Sequence, residues 1–159
     1  MSLEKTLVIL KPSAVQRGLI GEVTSRFERK GLRLAGYEND AAYRRTFELK
    51  HLCPSGRKAF LSARKRIDDA CPVVVCCYEG VDAVQIVRSM TGATNGRVAI
   101  PGTIRGDYCV SSQENIIHTS DSPKTAAEEV NRFFKPEELF EYKQCTLQHL
   151  YYEDEYKLV

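Results

Sequence analysis

The spacing of apolar residues changes along this chain, and each change marks an element. Residues 5–10, K-T-L-V-I-L, are a short apolar run of the kind a buried strand shows. Lys11-Pro12 ends it, because proline has no N–H for a central ladder. Over residues 20–30, Ile20, Val23 and Phe27 recur at helical spacing, and Gly31 supplies a stop. Residues 32–38 alternate, which predicts a second strand. Residues 41–68 are charged and mixed, and predict two short helices broken near Pro54-Ser55-Gly56. The run 72–78, P-V-V-V-C-C-Y, is apolar at almost every position, as in a central strand. Over 82–91, Ala83, Ile86, Val87 and Met90 share one helical face. A long stretch, 92–114, carries glycines at 92, 96, 102 and 106 and Pro101, and reads as a functional loop. Residues 115–118 form a short strand. Ser122-Pro123 opens a last helix, since serine caps and proline suits the first helical position. Ala126, Ala127, Val130, Phe133 and Phe134 give that helix its apolar face. Pro136 opens a turn into a tail ending Y-Y-E-D-E-Y-K-L-V.

The order β-α-β-α-β-α-β-α, in two β-α-β-like halves, predicts an α+β sandwich. The plan is ferredoxin-like: a four-stranded antiparallel sheet with helices packed on one side of it. A flavodoxin-like parallel sheet is the alternative. The 159 residues suit one domain, 1–159, with 150–159 as a C-terminal extension.

Composition narrows the function. With 23 Lys+Arg against 21 Asp+Glu, the net charge is +2, which argues against a nucleic-acid partner. No apolar run approaches the ~20 residues of a membrane span, so no membrane partner is expected. The first apolar run is too short, and its charge too early, for a signal peptide. The six cysteines, at 53, 71, 76, 77, 109 and 145, form no C-x-x-C pair and read as reduced thiols of a cytoplasmic protein. In a strand, Cys76 and Cys77 would point to opposite faces.

Common signatures are missing. There is no G-x-x-x-x-G-K-[ST], no G-x-G-x-x-G and no H-E-x-x-H, and His51, His118 and His149 lack zinc-type spacing with the cysteines. What remains is a set of polar residues at the ends of apolar elements: Lys11, Arg88, Thr94, Arg105, Asn115, His118, and Glu129 about two helical turns past Ser122. Singly, each has an ordinary reading as a solvated strand end, a surface ion pair or a packed histidine. Together they make chemical sense. Three cations can hold a triphosphate. Imidazoles titrate near pH 6.5, so a neutral histidine is a competent nucleophile toward phosphorus at pH 7. A nearby carboxylate fixes its tautomer.

The stretches T-L-V-I-L-K-P-S-A-V-Q-R-G-L-I-G-E (6–22), S-R-F-E-R-K-G (25–31), R-S-M-T-G-A-T-N (88–95), P-G-T-I-R-G-D-Y-C (101–109) and N-I-I-H-T-S-D-S (115–122) resemble nucleoside diphosphate kinases, collinearly from about residue 4 to 145. The resemblance implies a transferase that passes the γ-phosphate of a nucleoside triphosphate, typically ATP, to a nucleoside diphosphate. The route is ping-pong, through phosphohistidine at His118. It implies Ser120 and Glu129 behind the histidine, and Lys11, Arg88, Thr94, Arg105 and Asn115 around phosphates and sugar. It also implies Phe60 stacked on the base, and Mg²⁺ bound mainly through the nucleotide phosphates. Nucleoside di- and triphosphates are the implied partners, and a homo-oligomer the implied assembly, with a hexamer favoured over a tetramer.

The chain departs from the family pattern in places. Leu52 stands where tyrosine is usual, Ser112 for valine, Thr119 for glycine and Gly96 for proline. Thr119 would be strained if that position needed positive φ, and Gly96 predicts a less stiff loop. Pro54 and Gly56 predict a mobile segment near 50–60. A non-catalytic relative that binds nucleotide or a protein partner is the second reading.

Overall fold

The computed structural model describes residues 3–40 and 72–156. The helices foreseen within 41–68 and the segment near 50–60 lie outside the described residues. The strands are β1 (Leu3–Leu10), β2 (Arg33–Asp40), β3 (Val73–Val81) and β4 (Ile117–Thr119). The helices are α1 (Pro12–Gln16), α2 (Ile20–Lys30), α3 (Ala83–Thr91), α4 (Ile104–Tyr108) and α5 (Pro123–Phe133). A 3₁₀ turn (Pro136–Glu138) and two short tail helices, α6 (Leu147–Leu150) and α7 (Glu153–Tyr156), follow among the described residues.

The strands form one sheet in the order β2-β3-β1-β4, antiparallel at every pairing. This is the ferredoxin-like plan, and it excludes the parallel alternative. The one-sided helix layer is corrected. Val8, Leu10, Val74, Cys76 and Tyr78 pack with Val23 and Phe27 of α2 and Ala83 and Val87 of α3. Leu7, Ile9, Val73, Val75 and Cys77 pack on the other face with Val130 of α5 and Phe134. A strand covered on both faces needs apolar residues at every position, which is why the 72–78 run shows no alternation. All nine residues of β3 are buried. Cys76 and Cys77 do point to opposite faces, and the described cysteines 76, 77, 109 and 145 are free thiols.

Single residues fix two of the helix ends. Gly31 closes α2 at φ 98°, a left-handed cap that glycine adopts without a Cβ clash. Ser122 caps α5, its hydroxyl accepting the Thr125 N–H at 3.1 Å. Such a cap contributes about 1 kcal/mol. The 92–114 stretch is not wholly loop, because it contains α4. Thr103 caps that helix by accepting the Gly106 N–H, at 3.1 Å. Five residues carry too little periodicity to be seen in the sequence, and so short a helix is stable only where its neighbours hold it.

Candidate active site

β4 is held by β1, with His118 opposite Ile9 and Thr119 opposite Val8. Just before it the chain bends sharply. Ile116 has φ 51°, and the Ile117 N–H donates to the Asn115 carbonyl at 2.6 Å, a γ-turn. A β-branched residue rarely adopts positive φ. This one is held there by a fully buried side chain and by the Lys11 N–H, which donates to its carbonyl at 2.8 Å. Strain of this kind costs about 1–3 kcal/mol and persists where the surroundings over-determine it. It also explains why the predicted strand loses its first two residues. Thr119 is spared: it lies buried in extended β4, where threonine is comfortable.

His118 and Ser120 sit two apart along the chain, and both meet Glu129 of α5. The His118 Nε2 lies 3.2 Å from Glu129 Oε1 and 3.3 Å from Oε2. Ser120 Oγ donates to Oε2 at 2.6 Å and accepts the Leu7 N–H at 3.3 Å. Glu129 is 3 % exposed. A buried carboxylate is costly unless donors surround it, and here a hydroxyl and an imidazole N–H do. Because a carboxylate only accepts, Nε2 carries the proton and the ring's lone pair falls on Nδ1.

In front of His118 lies a cavity of about 380 Å³, lined among others by Lys11, Arg88, Thr94, Arg105, Asn115 and Asp121. Lys11 Nζ donates to Asn115 Oδ1 at 2.5 Å. Asn115 Nδ2 donates to the carbonyls of Thr94 and Ser112, at 3.0 and 3.1 Å. Arg88, in the last turn of α3, pairs with Asp121. Arg105 is a buried cation, at 8 % exposure. Its Nη1 donates to Gly92 O at 2.9 Å, its Nη2 to Ile117 O at 2.7 Å and its Nε to Asn115 O at 3.4 Å. A guanidinium has five N–H donors, so two remain for a ligand in the cavity. Burial holds its pKa below the ordinary arginine value, yet arginine stays charged at any physiological pH.

Eight of the nine site residues read from the sequence thus converge, and Phe60 lies outside the described residues, as does Leu52. Ser112 is exposed, and its carbonyl accepts from Asn115 Nδ2. At Gly96 the N–H donates to Ser111 O at 3.1 Å, a bond proline could not make, and a Cβ there would overlap the Cys109 backbone. Sequence reading missed Asp121 as a cavity residue. Its signal was its place three residues after His118.

Comparison with known proteins then decides the family. The sequence model described as nucleoside diphosphate kinase matches residues 4–139. The chain belongs to the nucleoside diphosphate kinase family. Among its relatives, a nucleoside diphosphate kinase of Parabacteroides distasonis is 54% identical over 156 residues, 97% of this chain and 100% of that protein. One of Pyrococcus horikoshii is 49% identical, over 90% of this chain and 92% of its own. Among solved structures, a halophilic nucleoside diphosphate kinase from Halobacterium salinarum in complex with CDP superposes with TM-score 0.82 at 34% identity. That match covers 95% of this chain and 100% of the other. Among the described residues no helix is long and apolar enough to cross a membrane.

Proposed function

We propose that this chain is a working nucleoside diphosphate kinase whose phosphate carrier is Nδ1 of His118. The observation that carries the reading is the His118–Glu129 contact at the floor of a cation-lined cavity. In the first half-reaction Nδ1 attacks the γ-phosphorus of a nucleoside triphosphate. The Nδ1–P bond forms, the bond from phosphorus to the β,γ-bridging oxygen breaks, and its electron pair leaves on the nucleoside diphosphate. The ring then carries positive charge, which Glu129 stabilises through Nε2–H. In the second half-reaction a terminal oxygen of another nucleoside diphosphate takes the phosphoryl group and restores the neutral imidazole. Phosphoryl transfer asks mainly for positioning and charge neutralisation. Lys11, Arg88 and Arg105 supply charge, while Thr94 and Asn115 supply polar contacts to phosphates and sugar. Phe60 is the proposed stacking surface for the base.

Among the described residues no group of three or more His, Cys, Asp or Glu side chains can hold a metal by itself. Mg²⁺ keeps several waters and binds through substrate phosphates and one or two carboxylates. Among the described residues Asp121 is a carboxylate that lines the cavity. Bound this way, Mg²⁺ neutralises phosphate charge.

We further propose one domain over residues 1–159, a homo-oligomer with a hexamer favoured, and a reducing, cytoplasmic location. The test of the site is incubation with γ-labelled ATP. Acid-labile, base-stable label on the wild type and none on His118→Ala is the expected result. Label persisting on His118→Ala overturns the carrier assignment. Absence of phosphate exchange between ATP and a second nucleoside diphosphate would favour the non-catalytic reading.

A further inference from the structure

Arg105 reaches the cavity from α4, a five-residue helix that cannot stand alone. Its outer side is gripped by α2. Arg26 Nη1 pairs with Asp107 Oδ2 at 2.7 Å and donates to Gly102 O at 3.3 Å. Arg26 Nη2 donates to Tyr108 Oη at 2.9 Å, and its guanidinium carbon lies 4.9 Å from the centre of the Tyr108 ring. Glu22, one turn earlier on α2, accepts from Arg26 Nε at 3.1 Å and so aligns the fork. Asp107 in turn accepts the Gly102 N–H at 2.7 Å. One guanidinium therefore touches residues 102, 107 and 108, on either side of Arg105, without lining the cavity itself.

The chemistry of the site does not use this cluster, and a surface ion pair would not need it. Several polar contacts and a ring, all drawn by one side chain onto one short segment, are far more than a single exposed pair supplies. The segment they hold carries the cation with the most exacting geometry, because Arg105 must keep three backbone carbonyls while presenting its remaining donors to phosphate.

We propose that Arg26 is a positioning residue for Arg105: it fixes α4 from outside so that the Arg105 guanidinium stays in the phosphate cavity. The inference rests on the proposed role of Arg105 in holding phosphate. Arg26→Ala removes the fork. Arg26→Lys keeps the charge and the pair with Asp107 but cannot reach Tyr108, Gly102 and Glu22 together, and Asp107→Asn removes the ion pair from the other side.

The test is ADP affinity by calorimetry, with the binding stoichiometry reporting the folded fraction, for wild type, Arg26→Ala, Arg26→Lys, Asp107→Asn and Arg105→Ala. Each is measured singly, and Arg26→Ala is combined with Arg105→Ala; Arg105→Lys replaces the latter if alanine prevents folding. Arg26→Ala is expected to weaken ADP binding about five- to tenfold, with Arg26→Lys and Asp107→Asn between it and wild type. In the Arg105→Ala background the Arg26→Ala loss is expected to vanish, because there is no guanidinium left to position. A merely structural arginine would lower thermal stability in both backgrounds and show no such coupling. Should Arg26→Ala fail to fold, Arg26→Lys takes its place in the cycle. If Arg105→Ala binds ADP as well as the wild type, the phosphate role of Arg105 fails and this inference with it. If Arg105→Ala binds weakly but the Arg26 variants bind normally, or their losses add to it in full, the positioning inference alone is overturned.

Discussion

Nε2 of His118 lies 3.2 and 3.3 Å from the two carboxylate oxygens of Glu129, joining a strand residue to a helix residue eleven positions on. In the proposed mechanism this contact sets the tautomer of the ring and places a buried carboxylate beside the positive charge that the ring gains on phosphorylation. Glu129→Gln keeps the size of the side chain and removes that charge. Phosphohistidine formation, measured by rapid quench with labelled ATP, is expected to slow by about ten- to a hundredfold. An unchanged rate would mean that Glu129 only orients the ring.

Arg105 closes a seam between the end of α3, the γ-turn and β4 through three carbonyls. Lysine is a point charge on a flexible stem and cannot satisfy all three. Arg105→Lys is expected to lose about 2 kcal/mol of stability, from carbonyls left short of a donor. Urea unfolding at neutral pH measures this directly, and a midpoint equal to that of the wild type would contradict it.

Ser122 starts α5 and so sets where Glu129 stands, two turns along. Ser122→Ala should lower unfolding free energy by about 1 kcal/mol through loss of the bond to Thr125 N–H. Thermal unfolding monitored by circular dichroism gives the value.

Burial pushes the thiols of Cys76 and Cys77 up to about 12. In the unfolded chain a thiol titrates near 8.5. The folded state therefore holds these protons more tightly. Their stabilising effect is complete below the unfolded value and is lost as pH rises from there toward about 12. Between pH 8 and pH 10 each thiol should cost on the order of 2 kcal/mol. Cys77→Ala should lose correspondingly less stability over that range, and equal losses in variant and wild type would refute the assignment.

Much of the architecture was legible in local pattern alone. The apolar periods marked β1, α2, β3, α3 and α5, and Gly31 and Ser122 marked helix ends, because each signal is carried by residues within a turn or two of one another. Arg105, Asn115, His118 and Ser120, four of the residues that come together around the cavity, stand in P-G-T-I-R-G-D and N-I-I-H-T-S-D-S. The helix layer was misjudged because a continuous apolar run says that a strand is buried on both faces, not which helices cover them. The 104–108 helix was missed because five residues carry too little periodicity, and the contacts it makes, from Arg26 to Asp107 and Tyr108 and from Arg105 to Gly92 and Ile117, are not local.

What the sequence by itself determined is the kind and order of the elements and the residue types that can do phosphate chemistry. What only the tertiary structure decided is which of those residues meet. The doubt raised by Thr119 dissolved once β4 was paired to β1, and the strain turned out to sit at Ile116, where a buried side chain and the Lys11 N–H hold the turn. Lys11 and Asn115 are 104 residues apart in the chain, Arg26 and Tyr108 82 apart. Contacts at such separations arise from sheet register and helix packing, which no local pattern records.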